Sequence, residues 1–184
     1  MKHFAYLIAL ILLFSCQPAN KKITEAEFSV NKSLLSDSSF KSNNGFIINP
    51  PKRWFKTGSY DSVLRAKTSI RSDNKLLAIY KSDTADCALI ITELPEATFS
   101  VVRSSLNKTD AYPGKDTIWT NVQSSIFKYK SFEIIQFVLQ NSELIVFKLF
   151  THRSSELYEL DYIIPRNEIN KYLQSVESSI GSMI

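Results

Sequence analysis

The chain is poor in the residues from which many catalytic and metal centres are built, with two cysteines and two histidines in 184 residues. Two cysteines exclude a disulfide framework, and two histidines leave little material for a metal cluster or a catalytic relay. Glycine and proline are also sparse, at four and six residues. That scarcity excludes a collagen-like chain, and without a Gly-rich turn there is no loop to cradle a phosphate. No apolar run approaches the roughly 20 residues that a spanning helix needs, which excludes a polytopic membrane protein. What is present is an ordinary apolar fraction of 44% with 22% charged residues, enough for one globular domain with its own core and too little for two.

Met1-Lys2-His3 precede an apolar stretch of eleven residues, Phe4 to Phe14, which Ser15-Cys16 close. At about 1.5 Å per residue, a helix of that length covers about half of a roughly 30 Å hydrocarbon core. A positive start, a short apolar middle and a small terminal residue read as an export signal over residues 1–15, cleaved rather than kept. Leu13-Phe14-Ser15-Cys16 resembles the lipobox of bacterial lipoproteins: an aliphatic residue, a bulkier Phe14 than usual, a small residue, then the lipidated cysteine. The resemblance implies that the Cys16 thiol takes a diacylglyceryl group, that the preceding bond is cut and that the new amine is acylated. At about 0.8 kcal/mol per buried CH2, several acyl chains hold a protein far more firmly than one myristoyl. The alternative is an ordinary secretory signal with Cys16 a bystander. Gln17 stands where inner-membrane lipoproteins of enteric bacteria often carry Asp, so the resemblance implies an outer membrane lipoprotein facing the periplasm.

Cleavage removes only Lys2 among the charged residues and leaves 21 basic against 18 acidic ones, a net +3 too small to steer a partner by itself. Residues 16–44 show no sustained hydrophobic period and read as a lipid-anchored flexible tether, with Thr24-Glu25-Ala26-Glu27 a candidate capping box for a short helix towards Leu34. As flexible chain, this segment has a root-mean-square reach of about 30 Å.

Residues 45–184 read as a single domain. Phe46 to Asn49 predict a short strand stopped by Pro50-Pro51, with Trp54 and Phe55 as large groups closing over a core edge. Residues 60–71 fit a helix or an alternating strand, and the helix is preferred. Leu76–Lys81 and Cys87–Leu94 predict a strand pair, and Pro95 opens a helix carrying Phe99, Val102 and Leu106. Residues 107–121 read as a loop around Tyr112-Pro113-Gly114-Lys115. Phe132–Leu139, Leu144–Thr151 and Leu157–Ile164 are strands separated by short polar breaks, which suits an antiparallel meander. Ile169, Tyr172, Leu173, Val176 and Ile180 define a C-terminal amphipathic helix that packs on the sheet, with Gly181 at its C-terminal cap. The class is therefore α+β, an antiparallel β-sheet meander flanked by helices.

The order Gly45-Phe-Ile-Ile-Asn, Pro-Pro-Lys-Arg-Trp, a meander, Tyr-Glu-Leu-Asp-Tyr-Ile-Ile-Pro and a last helix with Val-Glu-Ser-Ser-Ile resembles the PsbP-like family. That family is named for an extrinsic subunit of photosystem II and shares its fold with a Ran-binding nuclear import factor. The resemblance covers residues 45–184 and departs at Arg53, where the family usually has glycine. It implies an α/β/α sandwich and an accessory or binding role. The metal association of some members does not carry over, because no matching histidine and carboxylate motif is present.

Among single residues, Cys87 opens an apolar strand, where a thiol behaves as a small hydrophobe. His152 sits beside Arg153, Ser154 and Ser155 and reads as part of a solvated turn. Asp83, Asp86 and Cys87 read as a polar hairpin rather than a metal site. Two features point to binding. Between residues 52 and 81, Lys52, Arg53, Lys56, Arg65, Lys67, Arg71, Lys75 and Lys81 face only Asp61 and Asp73, a local excess of +6 suited to an acidic partner or lipid headgroups. Tyr112 and Trp119, on the long loop, suit an interface or a lid on the core. The sequence thus predicts a non-catalytic, lipid-anchored periplasmic accessory protein. Its expected partners are the membrane, through its anchor, and an envelope protein, with no cofactor, metal or nucleic acid. A carrier of an apolar small molecule or lipid is the alternative, followed by an unrecognised hydrolase.

Overall fold

The computed structural model describes residues 23–58, 74–106 and 119–184. In chain order the elements are β1 (Thr24–Glu25), β2 (Phe40–Lys41), β3 (Ile47–Ile48), β4 (Trp54–Lys56), β5 (Lys75–Ser82), β6 (Ala88–Leu94), α1 (Ala97–Ser105), β7 (Asn121–Tyr129), β8 (Phe132–Gln140), β9 (Leu144–Arg153), β10 (Glu156–Pro165) and α2 (Ile169–Gly181). The main sheet has the order β1-β7-β8-β9-β10-β6-β5-β4, and β2 pairs with β3 separately. Two meanders, β4-β5-β6 and β7-β8-β9-β10, are joined where β10 lies antiparallel to β6. Among the described strands, only β1 runs parallel to its neighbour, β7.

Each long strand alternates between two apolar layers, because successive side chains point to opposite faces. On one face Leu89, Ile91, Ile134, Leu149, Tyr158, Leu160 and Tyr162 pack with Tyr172, Val176 and Ile180 of α2. On the other, Ile90, Ile135, Phe137, Val146, Phe150 and Ile163 pack with Val102 and Leu106 beneath α1. The expected strands over 76–81, 87–94, 132–139, 144–151 and 157–164 are all present within a residue or two. The weak pattern Asn121-Val-Gln-Ser-Ser, by contrast, hid β7.

Four local expectations are corrected. The described part of the segment expected as tether, residues 23–44, lies on the domain: β1 extends the sheet edge, Phe28 packs edge-on to Tyr129 at 4.8 Å, and Phe40 is buried. No helix follows Thr24; only a single 3-10 turn forms at Lys32–Leu34. Leu173 is 40% exposed, since Tyr172, Val176, Ser179 and Ile180 set the buried face of α2 and Leu173 falls beside it. Gly181 ends the helix without a left-handed cap; a Cβ there would meet Val30 Cγ2 at 2.6 Å and Phe28 Cβ at 2.8 Å, so its small size admits the N-terminal segment. The helix end is capped instead by Lys130, whose Nζ donates to the carbonyls of Gly181 (3.2 Å) and Met183 (3.0 Å). The 60–71 helix expectation falls outside the described residues.

Candidate functional site

Pro50 and Pro51 are buried, Pro51 bridges Leu35, and the Lys52 N–H donates to the Leu34 carbonyl at 2.8 Å, which fixes the approach to β4. Trp54, 1% exposed, then pins the strand against Tyr162 and Tyr172 with ring centroids 6.5 and 6.0 Å away. With Trp54 turned inward, alternation sends Phe55 outward, where it is 61% exposed rather than closing the core edge as expected. Its sequence neighbours Lys52, Arg53 and Lys56 are exposed as well. None of the three has a carboxylate partner among the described residues, whereas Lys75 pairs with Glu93, Arg103 with Glu133 and Lys171 with Glu168. Arg53 lies at φ +63°, a left-handed conformation that costs an ordinary residue energy and glycine none. Lys130 (φ 52°) occupies the same region, but its side chain caps α2; the Arg53 side chain makes no such contact.

The expected candidates do not converge. Cys16, Tyr112, Arg65, Lys67 and Arg71 lie outside the described residues. Trp119 is half-buried against the α1-side core, and the Thr120 N–H donates to the Gln140 carbonyl (2.8 Å), so this residue belongs to the β7-β8 end of the sheet, six strands from β4.

A second polar group lies inside. Lys148, in the middle of an apolar strand, faces Asp161 across the β9-β10 register, donates to Asp161 Oδ2 at 2.7 Å and also pairs with Glu159. Lys148 is 8% and Asp161 3% exposed. Burial pushes the Asp161 carboxyl up to about 7, with the Lys148 charge opposing the rise and Glu159 adding to it. Its Oδ1 has no hydrogen-bond partner. The apolar pattern of 144–151 concealed this cluster from sequence reading; the signal was the lone Lys148 opposite Glu159 and Asp161.

The remaining reactive side chains are tied into packing. Cys87 is buried, and desolvation, aided by Glu168, pushes its thiol up to about 12, so it is not a thiolate at neutral pH. His152 corrects the expectation of a solvated turn: β9 continues to Arg153, and the imidazole lies edge-on to Phe99 of α1 at 4.1 Å. Tyr158 stacks on Phe46 at 4.5 Å and donates to Asn44 and Glu156, and burial raises its hydroxyl to about 12. Among the described residues, no group of three or more histidine, cysteine or acidic side chains is placed to hold a metal. None of the described helices is long and apolar enough to cross a membrane.

No family model matches the chain, and no curated protein matches it. Among solved structures it is similar to the solution structure of cyanobacterial PsbP (CyanoP) from Synechocystis sp. PCC 6803, at 10% identity and a TM-score of 0.47, over 80% of this chain and 91% of that one.

Proposed function

We propose that the chain is a bacterial lipoprotein, acylated at Cys16 and held on the periplasmic side of the outer membrane. Its PsbP-like domain, read as an α/β/α sandwich, associates with another envelope component and performs no chemistry. The lipobox-like Leu13-Phe14-Ser15-Cys16 supports the anchor. One observation carries the binding role. Cys87, His152 and Asp161 are committed to the interior or to neighbouring rings, while Lys52, Arg53, Phe55 and Lys56 stand exposed, with no carboxylate partner for the three cations among the described residues. An exposed aromatic among unpaired cations is the composition of a recognition surface rather than of a core.

Metabolic labelling with a fatty acid tests the anchor: the wild type is expected to take label, and Cys16→Ser to give an unprocessed or soluble species without it. Equal labelling of the two chains contradicts the lipoprotein reading. Purification in mild detergent tests association. An envelope component, protein or lipid, is expected to be recovered with the wild type and lost with Lys52→Ser, Arg53→Ser and Lys56→Ser combined. Recovery unaffected by the triple change and by salt removes this edge as the interface.

A further inference from the structure

We infer that the edge around β4 is a second membrane contact, at which Phe55 enters the headgroup layer of an anionic bilayer while Lys52, Arg53 and Lys56 meet its phosphates. The inference rests on the lipid-anchored reading and adds an orientation for the domain. Three cations within five residues leave a local positive charge that no carboxylate among the described residues neutralises. The exposed ring between them in sequence supplies apolar area beside those charges, the combination found in interfacial anchors. Its backbone is held from behind by buried Trp54 and by the bond from the Lys52 N–H to Leu34, so contact requires no ordering of the strand. The left-handed Arg53 adds a guanidinium where the backbone favours glycine.

A phosphate surface suits this edge better than an acidic protein does. It neutralises dispersed cations without carboxylates set to match each one. Three cations near an anionic leaflet strengthen association by roughly two orders of magnitude. That is weak for capturing a free partner but sufficient for a domain already tethered, whose effective concentration at the bilayer is in the millimolar range. The placement agrees, because β1, which begins eight residues after Cys16, lies at one end of the sheet and β4 at the other. Seven interstrand steps separate them, roughly 34 Å measured along the sheet. Attachment at both ends lays the sheet along the membrane.

The test uses the acylated protein purified from membranes, with Phe55→Cys carrying a nitrobenzoxadiazole dye and labelling at residue 55 alone verified by mass. It is reconstituted in phosphatidylcholine vesicles with or without phosphatidylglycerol. The expected result is a blue-shifted emission with phosphatidylglycerol only, lost at high salt and lost in the Lys52→Ser, Arg53→Ser, Lys56→Ser background. Solvent-like emission from protein retained on phosphatidylglycerol vesicles overturns the inference and leaves the anchor reading intact. Protein that separates from all vesicles contradicts the anchor instead, and the shift on adding phosphatidylglycerol vesicles then decides the contact by itself. A shift with polyglutamate but none with phosphatidylglycerol assigns the edge to an acidic protein and also overturns the inference.

Discussion

Lys148 and the cations of β4 are the same chemistry used in opposite ways. Lys148 is buried and holds two carboxylates; Lys52, Arg53 and Lys56 are exposed and hold none among the described residues. A buried ion pair is costly to break, because removing one partner strands the other charge in a poor solvent, whereas exposed charges contribute little to stability. The interior cation is therefore structural, and the edge cations are available for binding.

The largest expected effect follows from that contrast. Lys148→Met leaves Glu159 and Asp161 without their shared cation and should destabilise the domain by about 3–5 kcal/mol. Each single Ser substitution at Lys52 or Lys56 should change stability by no more than about 0.5 kcal/mol. Urea unfolding midpoints compare them directly, and similar midpoints would dissolve the distinction. Next, Ile180→Ala in the buried face of α2 should cost about 2–5 kcal/mol through lost burial and a residual cavity. Leu173→Ala, beside that face, should cost less than about 1 kcal/mol.

A pH effect sharpens the interior half of the comparison. The Asp161 carboxyl titrates near 3.9 in an unfolded chain and is raised to about 7 in the fold, so the native state holds the proton more tightly. Between roughly pH 4 and 7 the native state binds more protons than the unfolded one, and this group's contribution makes stability fall as pH rises through that window. Asp161→Asn should flatten the slope, measured as unfolding midpoints across the same range. An unchanged slope would show that Asp161 is ionised throughout.

Legibility in the sequence followed the strength of alternation. β8 and β10 were readable because Ile135-Phe137-Leu139 and Tyr158-Leu160-Tyr162 repeat with period two, and β9 because its run from Leu144 is almost wholly apolar, while Gln123, Ser124 and Ser125 erased that period in β7. The short pieces β1 to β4 carry too few residues for any period, and tertiary partners decide them: Tyr129 for Phe28, Tyr162 and Tyr172 for Trp54. The basic residues of the edge were visible as a charge excess, but Phe55 was not, since its exposure depends on which of two adjacent aromatics turns inward. Leu173 failed for a related reason, because a helical stripe drawn from apolar residues alone is wider than the face that is covered.

A small change in stability tests most directly whether the β4 edge is kept for binding and not for the fold. Arg53 adopts φ +63° with no side-chain hydrogen bond or ion pair among the described residues to offset it, so Arg53→Gly should stabilise the domain by about 0.5–1 kcal/mol, the left-handed strain relieved less the extra entropy that glycine loses on folding. The measurement is the unfolding midpoint of Arg53→Gly against wild type, with association to phosphatidylglycerol vesicles read on the same preparations. A higher midpoint together with weaker association is predicted. A lower midpoint would contradict the claim by showing that Arg53 is held in that conformation to stabilise the fold.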